Sequence, residues 1–423
     1  MIYIAKNQLH ASTNKMINLK KIYKNRFTHC LYLSIGCLPL SANSANLTQI
    51  KNHPIDEIVQ QNTIKKSAPS AKKITKIDQM RIMHIDIDYV YDKDKKQQHE
   101  NIRTLIERIQ QIQPNTIFLQ AFADPDANGS VDQVYFKNRH IPLRENLFPL
   151  LVKQIRSKTG VKHIYAWLPL MAWEFPKSYR IPYVSHSEGG KQGYIRVSPF
   201  SQQNLKYVSE IYLDFIKSNS VDGVLYHDDI TLSDYEDISA PARKMYQAWG
   251  FNSEQVSKLH NSPKQAPLAQ FKTAYLDQFA EGISKILKQQ QPNILTARNM
   301  YAPVVLNPIS ENWFSQSMRS TYKYYDYNAI MAMPYMEEAD DHQQFYLDLI
   351  QQSKKYDPEL SRTIFELQAV NWKNSQKIST QEITETIKFL EKHGVKHIGY
   401  YPDDFVNEHP HPSKLKHAFL TDD

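Results

Sequence analysis

Eight short apolar segments, separated by amphipathic stretches, determine what this chain can fold into. The amphipathic stretches have helical spacing, as where Ile102, Leu105, Ile106 and Ile109 recur on one face. Strands alternating with helices over roughly 340 residues predict an α/β fold of the (β/α)8 TIM-barrel type, with loop insertions over the C-terminal face of the strands. An open doubly wound sheet is the alternative. The predicted strands are 82–88, 116–122, 162–168, 222–226, 294–298, 328–333, 363–369 and 397–401.

A cluster of five carboxylates follows the fourth predicted strand, between Asp228 and Asp237. Like charges this close predict that some of these groups have a raised pKa or a bound partner. Side chains alternate along a strand, so only one of Asp228 and Asp229 can face the barrel axis. We assign Asp228 to the axis and expect Asp229 to be hydrogen-bonded to the scaffold. Asp234 is the next candidate for an acid that reaches the site, from the loop. Glu236 and Asp237 could equally belong to a solvated loop without a role in the site.

The residues just past parallel barrel strands line the active site in this fold. Here those positions hold carboxylates, aromatic rings and amides. Glycoside hydrolysis needs one protonated and one ionised carboxyl group, which paired acids with different pKa values supply. Asp228 and Asp234 are the predicted catalytic pair. The predicted substrate-binding residues are Asp86, Asp88, Asp124, Trp167, His227, Asp229, Arg298, Asn299, Trp313, Tyr335, Glu337, Tyr401 and Asp403.

Signals for other chemistries are weak or missing in the sequence. It contains neither a Gly-rich phosphate loop nor a G-x-S-x-G nucleophile motif. His227 beside a carboxylate could ligate a metal, and His393 and His397 have the H-x-x-x-H spacing of polysaccharide deacetylases. Gly394 is expected to end a helix between those two histidines, so we interpret their spacing as coincidence. We therefore predict no metal and no cofactor.

The basic charge of the chain is concentrated near its N-terminus. Of 51 Lys and Arg and 44 Asp and Glu residues, positions 1–80 hold 12 and 3, respectively. The 39 basic and 41 acidic residues that remain give positions 81–423 a balance of −2. The barrel therefore lacks the basic surface that nucleic-acid binding requires. An acidic cleft instead favours an amino sugar with a free ammonium group over a uronic acid.

An export signal is predicted over residues 1–45, with Met16 as an alternative start. Four basic residues at 20–26 precede an apolar run at 30–40, which is too short for a permanent membrane span. Cys37 follows a glycine, as in lipoprotein signals. The protein is therefore expected to be exported, with a lipid anchor at Cys37 as an alternative.

Long motifs at the strand ends resemble a known family over residues 81 to about 410. The motifs include Ile85-Asp-Ile-Asp-Tyr-Val-Tyr-Asp92, Leu119-Gln-Ala-Phe-Ala-Asp-Pro-Asp126, His227-Asp-Asp229, Leu232-Ser-Asp-Tyr-Glu-Asp237, Met331-Ala-Met-Pro-Tyr-Met-Glu337 and Tyr400-Tyr-Pro-Asp-Asp404. They resemble the C-terminal domain of PgaB-type proteins, which process the biofilm exopolysaccharide poly-β-1,6-N-acetyl-D-glucosamine in the periplasm of Gram-negative bacteria.

This resemblance implies a (β/α)8 barrel that binds the partially de-N-acetylated polymer and cleaves it as an endo-glycosidase. It also implies that Asp228 and Asp234 correspond to the acidic residues of the family. The sugar contacts that it implies are Asp86, Asp88, Trp313 and Tyr335.

Full-length members of that family also carry an N-terminal metal-dependent deacetylase domain. Residues 46–79 are predicted to be a polar linker and are too few to hold such a domain. Residues 80–423 are therefore expected to be the hydrolase half behind an export signal. Two alternatives remain: a non-catalytic module that guides the polysaccharide toward an outer-membrane export porin, or the N-deacetylase activity of the family.

Overall fold

The computed structural model describes residues 53–62, 77–187, 193–254, 256–259 and 262–420. The predicted export signal and Cys37 lie outside these residues. Within the described part of the chain, every helix is too short or too polar to cross a membrane.

Eight parallel strands of the described chain close into a barrel. They are β1 Met80–Ile85, β2 Thr116–Gln120, β3 His163–Leu168, β4 Gly223–Tyr226, β5 Leu295–Tyr301, β6 Tyr327–Met331, β7 Thr363–Gln368 and β8 His397–Tyr401. Each strand pairs with its neighbours in chain order, and β8 closes the ring on β1, with Met80 opposite His397. The strands are almost wholly buried, as expected for parallel strands covered by helices. The predicted (β/α)8 barrel is confirmed.

Helices connect the strands and pack around the barrel. The described helices are α1 Ile55–Asn62, α2 Lys95–Ile112, α3 Leu147–Lys158, α4 Gln202–Ser218, α5 Ala240–Ala248, α6 Gln265–Gln290, α7 Ala302–Leu306, α8 Glu311–Phe314, α9 Met318–Tyr324, α10 Pro334–Glu337, α11 His342–Lys354, α12 Thr380–Lys392 and α13 Pro412–Leu420. Short 3-10 helices occur at Ile87–Tyr89, Lys177–Tyr179, Val256–Lys258 and Pro308–Ser310.

Local sequence signals determine where several helices begin. The Asp94 side chain accepts a hydrogen bond from a backbone N–H in the first turn of α2. Ser379 accepts one from the backbone N–H of Glu382 at the start of α12, at 3.1 Å, in the Ser-x-x-Glu pattern of a capping box. The apolar face predicted for α2, including Leu105 and Ile109, is buried. Propensity and burial therefore agree along these helices.

The carboxyl ends of β1 and β5 differ from the prediction. β1 ends at Ile85 instead of residue 88, because the chain turns into the 3-10 helix Ile87–Tyr89. The backbone N–H of Tyr89 donates to the Asp86 carbonyl at 3.3 Å and closes this turn. β5 continues to Tyr301 instead of residue 298. The acidic motif after β1 therefore lies on a turn at the mouth of the barrel.

Long connections follow β3 and β4, as the sequence predicted. A backbone bridge between His186 and Glu236 joins these two loops. Arg196 from the first loop also pairs with Glu236 from the second, at 2.8 Å. Short antiparallel hairpins follow β2 and β7, at Phe122–Ala123 with Gln133–Val134 and at Val370–Asn371 with Gln376–Lys377.

Helix α1 is a departure from the loosely ordered linker predicted before the barrel. Its Ile55 is 1% exposed and packs against Gly282 of α6, where a Cβ atom would lie 2.2 Å from Ile55 Cγ1. The ring of His53 lies 4.0 Å from that of Tyr275, also on α6. The segment is short and mostly polar, but its few apolar residues are buried against the barrel.

Candidate active site

A pocket opens at the carboxyl ends of the strands, and all eight strands or their first following residues line it. His84 and Glu366 come from within β1 and β7, whereas Asp86 and Asp228 follow the ends of β1 and β4. The other strands contribute Gln120, Trp167, Asn299, Met331 and Tyr401. Parallel strands end on one face of a barrel, so residues far apart in sequence meet here.

Asp228 is held in the pocket as a carboxylate. Its Oδ1 lies 2.5 Å from Nδ1 of His227, and its Oδ2 accepts hydrogen bonds from Tyr301 Oη at 2.7 Å and Tyr194 Oη at 3.5 Å. Burial opposes the negative charge, but His227 and the two hydroxyls outweigh it and lower the pKa of Asp228. Burial also opposes the charge on His227, yet Asp228 raises the pKa of that imidazole. Asp228 is therefore ionised.

Asp86 is a pocket carboxyl group in the opposite protonation state. Burial, followed by the nearby charge of Asp88, raises the pKa of Asp86 to about 8. Its Oδ2 accepts a hydrogen bond from Tyr401 Oη at 3.4 Å. Its Oδ1 has no hydrogen-bond partner among the described residues. At neutral pH the pocket therefore holds a protonated Asp86 together with an ionised Asp228.

Glu366 is another protonated carboxyl group and lies deeper in the barrel. Burial raises the pKa of Glu366 to about 8, even though its Oε2 accepts a hydrogen bond from Asn299 Nδ2 at 2.5 Å. Its Oε1 is 3.8 Å from Nδ1 of His84. Burial, followed by the charge of His227, lowers the pKa of His84 to about 3, so His84 is neutral.

Asp88 and Asp124 add further acidic side chains to the lining. The Asp88 carboxylate accepts hydrogen bonds from Tyr135 Oη at 2.6 Å and Arg144 Nη1 at 3.0 Å. Burial still raises the pKa of Asp88, and burial raises that of Asp124 to about 7. Among the lining residues, all of which are described, there is no Lys or Arg. The pocket is therefore rich in acidic groups, of which Asp228 pairs with His227 and Asp88 pairs with Arg144, a residue outside the lining.

Aromatic rings form the apolar part of the lining. The Trp167 ring stacks on that of His227, with centroids 5.0 Å apart and an angle of 14°. Phe122 meets Trp167 edge-on at 4.9 Å. Trp372 lies 6.2 Å from Tyr401 on another part of the lining. Such ring faces suit the apolar faces of pyranose sugars.

The described residues include one group of carboxylates that could hold a metal ion. Asp124, Asp126 and Asp132 have oxygen atoms within 4.8 Å of one another, in the loop after β2. The side chains of His393 and His397 instead contact backbone carbonyl oxygens, at 2.7 and 3.1 Å. The carboxylate oxygens of the three aspartates are hard ligands, which suit Mg²⁺ or Ca²⁺. They differ from the histidine-containing ligand set of a zinc-type deacetylase.

The structure brings together many of the residues predicted from the sequence. Asp86 and Asp88 lie together in the pocket, as does Asp228 instead of Asp229, although all four follow the strand ends and are positioned by turns there. The predicted residues that line the pocket are Asp86, Asp88, Asp124, Trp167, His227, Asp228, Asn299 and Tyr401. Their roles in binding and catalysis stay predictions.

Asp229, Arg298 and Asp403 were predicted to contact the sugar, but the structure encloses their side chains in protein. Asp229 accepts hydrogen bonds from three consecutive backbone N–H groups after β3. Arg298 pairs with Asp277 at 3.0 Å, and Asp403 pairs with Arg108 at 2.7 Å. Buried charges need such partners. These three side chains therefore support the scaffold behind the pocket.

Asp234, Trp313, Tyr335 and Glu337 lie outside the pocket lining. Asp234 is 8% exposed, and its Oδ2 is 3.5 Å from Nε2 of Gln265. Trp313 is buried in α8, and Tyr335 and Glu337 belong to α10 beyond β6. Loops and short helices carry these residues away from the strand ends that they follow in sequence. Their predicted roles stay predictions.

Sequence reasoning missed four polar residues that shape the site: His84, Glu366, Tyr301 and Tyr194. A signal existed for Glu366, the one titratable residue of β7, and for His84, which shares β1 with Arg81. Alternation also places His84 on the same side as Asp86, two positions later. Tyr194 had no such signal, since it reaches the pocket from the long loop after β3.

Comparisons with known proteins agree on the family of the barrel. A family profile described as hypothetical glycosyl hydrolase family 13 matches residues 84–401. The structure of the PgaB (BpsB) glycoside hydrolase domain from Bordetella bronchiseptica is 36% identical, with a TM-score of 0.75 over 80% of this chain and 98% of that one. An α-L-fucosidase from Paenibacillus thiaminolyticus, at 12% identity and a TM-score of 0.54, covers 81% of this chain and 48% of its own and shares the fold alone.

Longer curated proteins are also similar to this chain. The poly-beta-1,6-N-acetyl-D-glucosamine N-deacetylases of Escherichia coli K12 and O157:H7 are each 38% identical over 394 residues. The alignments cover 90% of this chain but only 58% of those proteins. The chain thus spans less than two thirds of the length of these relatives.

Proposed function

Because this chain belongs to the hypothetical glycosyl hydrolase family 13 and carries a glycoside hydrolase domain of the PgaB type, we propose that it is an endo-β-1,6-glucosaminidase. Its substrate in this proposal is partially de-N-acetylated poly-β-1,6-N-acetyl-D-glucosamine, the polymer in the name of its curated relatives. The reaction would trim the exopolysaccharide during biofilm formation and export.

The observation that carries this proposal is that two carboxyl groups in contrasting environments line one pocket, Asp228 against His227 and Tyr301 and Asp86 with a single long hydrogen bond. Asp228 is ionised, and Asp86 is protonated at neutral pH. Glycoside hydrolysis uses this pair of states at one pH. Asp86 lies just past the end of β1, nearer the pocket mouth than Glu366 within β7. Asp86 is therefore the better-placed proton donor.

Bond cleavage then follows from these two groups. Asp86 donates its proton to the glycosidic oxygen as the bond to the anomeric carbon breaks. Asp228 supplies negative charge to that carbon, either as a nucleophile or as the base that takes a proton from an attacking water. The Asp234 assignment made from the sequence is the alternative for the second acid, and mutation distinguishes it from Asp86.

The composition of the lining supports the choice of substrate. The lining includes Asp86, Asp124 and Glu366, which are paired neither with Arg144 nor with His227, and an ammonium group of a de-N-acetylated unit can pair with such acids. Trp167, Trp372 and Tyr401 offer ring faces on which neutral sugar faces can pack. An acidic polysaccharide would find no Lys or Arg in the lining to pair with its carboxylates.

We also propose that the protein acts in the periplasm or outside the cell, on the basis of its basic and apolar leader. Anchoring through Cys37 and delivery of the polymer to an outer-membrane export porin are parts of the same proposal. Mass spectrometry of the mature protein tests the leader part of this proposal, because it shows where the leader is cleaved and whether Cys37 carries a lipid.

Product analysis tests the proposed reaction. The purified protein would be incubated with partially deacetylated poly-β-1,6-glucosamine beside Asp228→Asn, Asp86→Asn and Asp234→Asn variants. Mass spectrometry is expected to show shorter oligomers from the parent protein and from Asp234→Asn, but not from Asp228→Asn or Asp86→Asn. Loss of a catalytic carboxyl group should reduce the rate by about 10²-fold or more, while polymer binding persists.

Two results would contradict the proposal in different ways. Polymer that is bound but stays intact would identify a non-catalytic guiding module. Released acetate, together with stoichiometric zinc or nickel in the purified protein, would identify a deacetylase. If Asp234→Asn loses cleavage and Asp86→Asn keeps it, the second acid is Asp234.

A further inference from the structure

The segment Phe314–Gln316, at the end of α8, lies against the turn that follows β4. Three hydrogen bonds join the segment to the turn, at 2.6, 2.7 and 3.2 Å. They pair Phe314, Ser315 and Gln316 with Thr231, Leu232 and Ile230, respectively. The chain that leaves Asp228 is therefore held by this segment, which lies outside the pocket lining.

The side chain of Gln316 makes a second contact, with the end of β5. Its Oε1 accepts a hydrogen bond from the backbone N–H of Tyr301 at 3.3 Å, while its Nε2 donates to the Ile230 carbonyl. A primary amide carries both an acceptor and donors, so one side chain can serve the two backbones together. Gln316 is 0% exposed, and this link is therefore fully buried.

The two backbones that Gln316 links carry the side chains that meet in the site. Tyr301 Oη donates to Oδ2 of Asp228 at 2.7 Å. The parallel pairing of β4 with β5 ends at Tyr226 and Arg298, before it reaches either side chain. The relative position of Asp228 and Tyr301 therefore depends on contacts beyond the strand ladder, and Gln316 provides one.

We propose that Gln316 is a positioning residue, which holds the backbone of Tyr301 against the turn after β4 and so keeps the Tyr301 hydroxyl on Asp228. Gln316 acts through Tyr301 and does not contact the substrate. The Phe314 ring supports the same arrangement, with its centroid 4.9 Å from that of the Tyr301 ring. This inference rests on the proposed function, in which Asp228 is the carboxylate.

Other groups also face Asp228 and limit the size of the effect. His227 lies against Oδ1, and Tyr194 Oη is 3.5 Å from Oδ2. Across β7, Glu366 is close enough for the charge of Asp228 to raise its pKa. These contacts stay when Gln316 is replaced, so the change at Asp228 should equal the loss of one hydrogen bond and no more.

The Gln316→Met variant tests the inference. Methionine has a similar volume but neither donates to Ile230 nor accepts from Tyr301. Arg298 also donates to the Ile230 carbonyl, at 3.1 Å, so that oxygen keeps a partner. The acidic limb of the pH–activity profile should move to higher pH, with activity at a fixed pH on that limb about threefold or more lower.

A double variant shows whether Gln316 acts through the tyrosine hydroxyl. In the Tyr301→Phe background, no hydroxyl remains for Gln316 to position. Adding Gln316→Met should then lower activity on the acidic limb by less than about twofold further. A full additional loss would mean that Gln316 acts by another route, and would overturn the inference.

NMR of the full chain with isotopically labelled aspartate follows the ionisation of Asp228 without requiring cleavage. The signal of Asp228 is the one missing from the Asp228→Asn variant. The midpoint of its titration should lie at higher pH in Gln316→Met than in the parent protein, because the ionised form loses a hydrogen bond.

Gln98→Met is the matched control, because Gln98 is a buried amide that also bridges two partners. It is 3% exposed, accepts from the Asp92 backbone N–H at 3.3 Å and donates to Glu145 at 2.8 Å. It lies on α2, outside the pocket lining. Gln98→Met should leave the acidic limb and the Asp228 midpoint unchanged, and equal shifts in the two variants would overturn the inference.

A second variant covers the case in which Gln316→Met does not fold, which thermal unfolding shows. Gln316→Asn keeps the amide but is one methylene too short to reach both backbones. It should shift the Asp228 midpoint in the same direction.

The positioning role and the glycosidase proposal can fail separately. If the midpoint rises in Gln316→Met and the parent protein leaves the polymer intact, the positioning role is correct and the glycosidase proposal is not. If the parent protein cleaves the polymer and neither the midpoint nor the acidic limb moves in the Gln316 variants, the reverse holds.

Discussion

Asp228 and Asp86 are both buried carboxyl groups, yet their neighbours move their pKa values in opposite directions. Asp228 faces an imidazole and two tyrosine hydroxyls, which favour its ionised form. Burial and the charge of Asp88 raise the pKa of Asp86, and a single long hydrogen bond from Tyr401 opposes them only weakly. Burial alone would make both groups neutral. The charge of His227, followed by the hydrogen bonds to Asp228, therefore determines which group can act as the carboxylate.

The Tyr301→Phe variant should shift the acidic limb of the pH–activity profile to higher pH. It removes the 2.7 Å hydrogen bond to Oδ2 and so raises the pKa of Asp228, which must be ionised to act. A hydrogen bond to a charged group contributes about 1.5–3 kcal/mol, so activity on that limb should fall about tenfold or more. Initial rates measured across the acidic range check this shift.

Tyr194→Phe is the matched control, because it removes the same kind of hydroxyl at 3.5 Å from the same oxygen. Its effect on the acidic limb should be smaller. Equal shifts in the two variants would mean that the tyrosines act through packing instead of hydrogen bonding.

Single residues in the strands were predictable to the extent that alternation applies to them. Alternation places Asp86 on the same side as His84, because successive side chains in a strand point to opposite faces, but Asp228 and Asp229 lie on a turn past β4, where alternation does not apply. It cannot identify Tyr194, which reaches Asp228 from a distant loop. Partners of that kind depend on tertiary packing.

The strands and helices of the barrel form as the sequence predicted. The elements that differ from the prediction lie outside the repeating strand–helix pattern. The apolar runs predicted each strand, but not the 3-10 turn Ile87–Tyr89, which depends on local backbone hydrogen bonds. Helix α1 was missed because Ile55 and Val59 are too few for a recognisable period, although both are buried. Tertiary contact with α6 determines its packing.

Gly282→Ala should weaken the attachment of α1 to the barrel. An added Cβ would lie 2.2 Å from Ile55 Cγ1, so the two helices must move apart. Overpacking of this kind costs about 1–3 kcal/mol in the free energy of unfolding. Chemical denaturation of the full chain measures the loss.

Gly160→Ala is the control for this change, because no atom lies within 4 Å of the added Cβ. It should change stability by less than about 0.5 kcal/mol. Alanine is favoured over glycine in a helix interior by about 1 kcal/mol, so an increase of that size in the free energy of unfolding for Gly282→Ala would show that contact with α1 does not stabilise the barrel.

At the scale of the whole molecule, the barrel gathers side chains that are hundreds of positions apart into one pocket. Asp86 and Glu366 meet there although they come from the first and seventh strands. The charge imbalance of the chain lies outside the barrel, so the acidity of the pocket arises from local placement and not from net charge. The sequence therefore predicted the face of the barrel that holds the site, but not which acids on that face meet.

The pH dependence of cleavage tests the central claim that Asp86 is the proton donor and Asp228 the carboxylate. A donor with a raised pKa loses its proton as pH rises, so activity on the polymer should fall through pH about 8. Activity should also fall at low pH as Asp228 becomes protonated, below the usual range for a carboxyl group because its pKa is lowered.

The decisive measurement is this profile for the parent and Asp86→Asn proteins, with the polymer and with an aryl oligoglucosaminide whose leaving group needs no protonation. Asp86→Asn should lose about 10²-fold or more on the polymer, keep most of its activity on the aryl substrate and show no alkaline limb due to Asp86. If it cleaves the polymer at the parent rate with the parent profile, Asp86 is not the proton donor and the account is wrong.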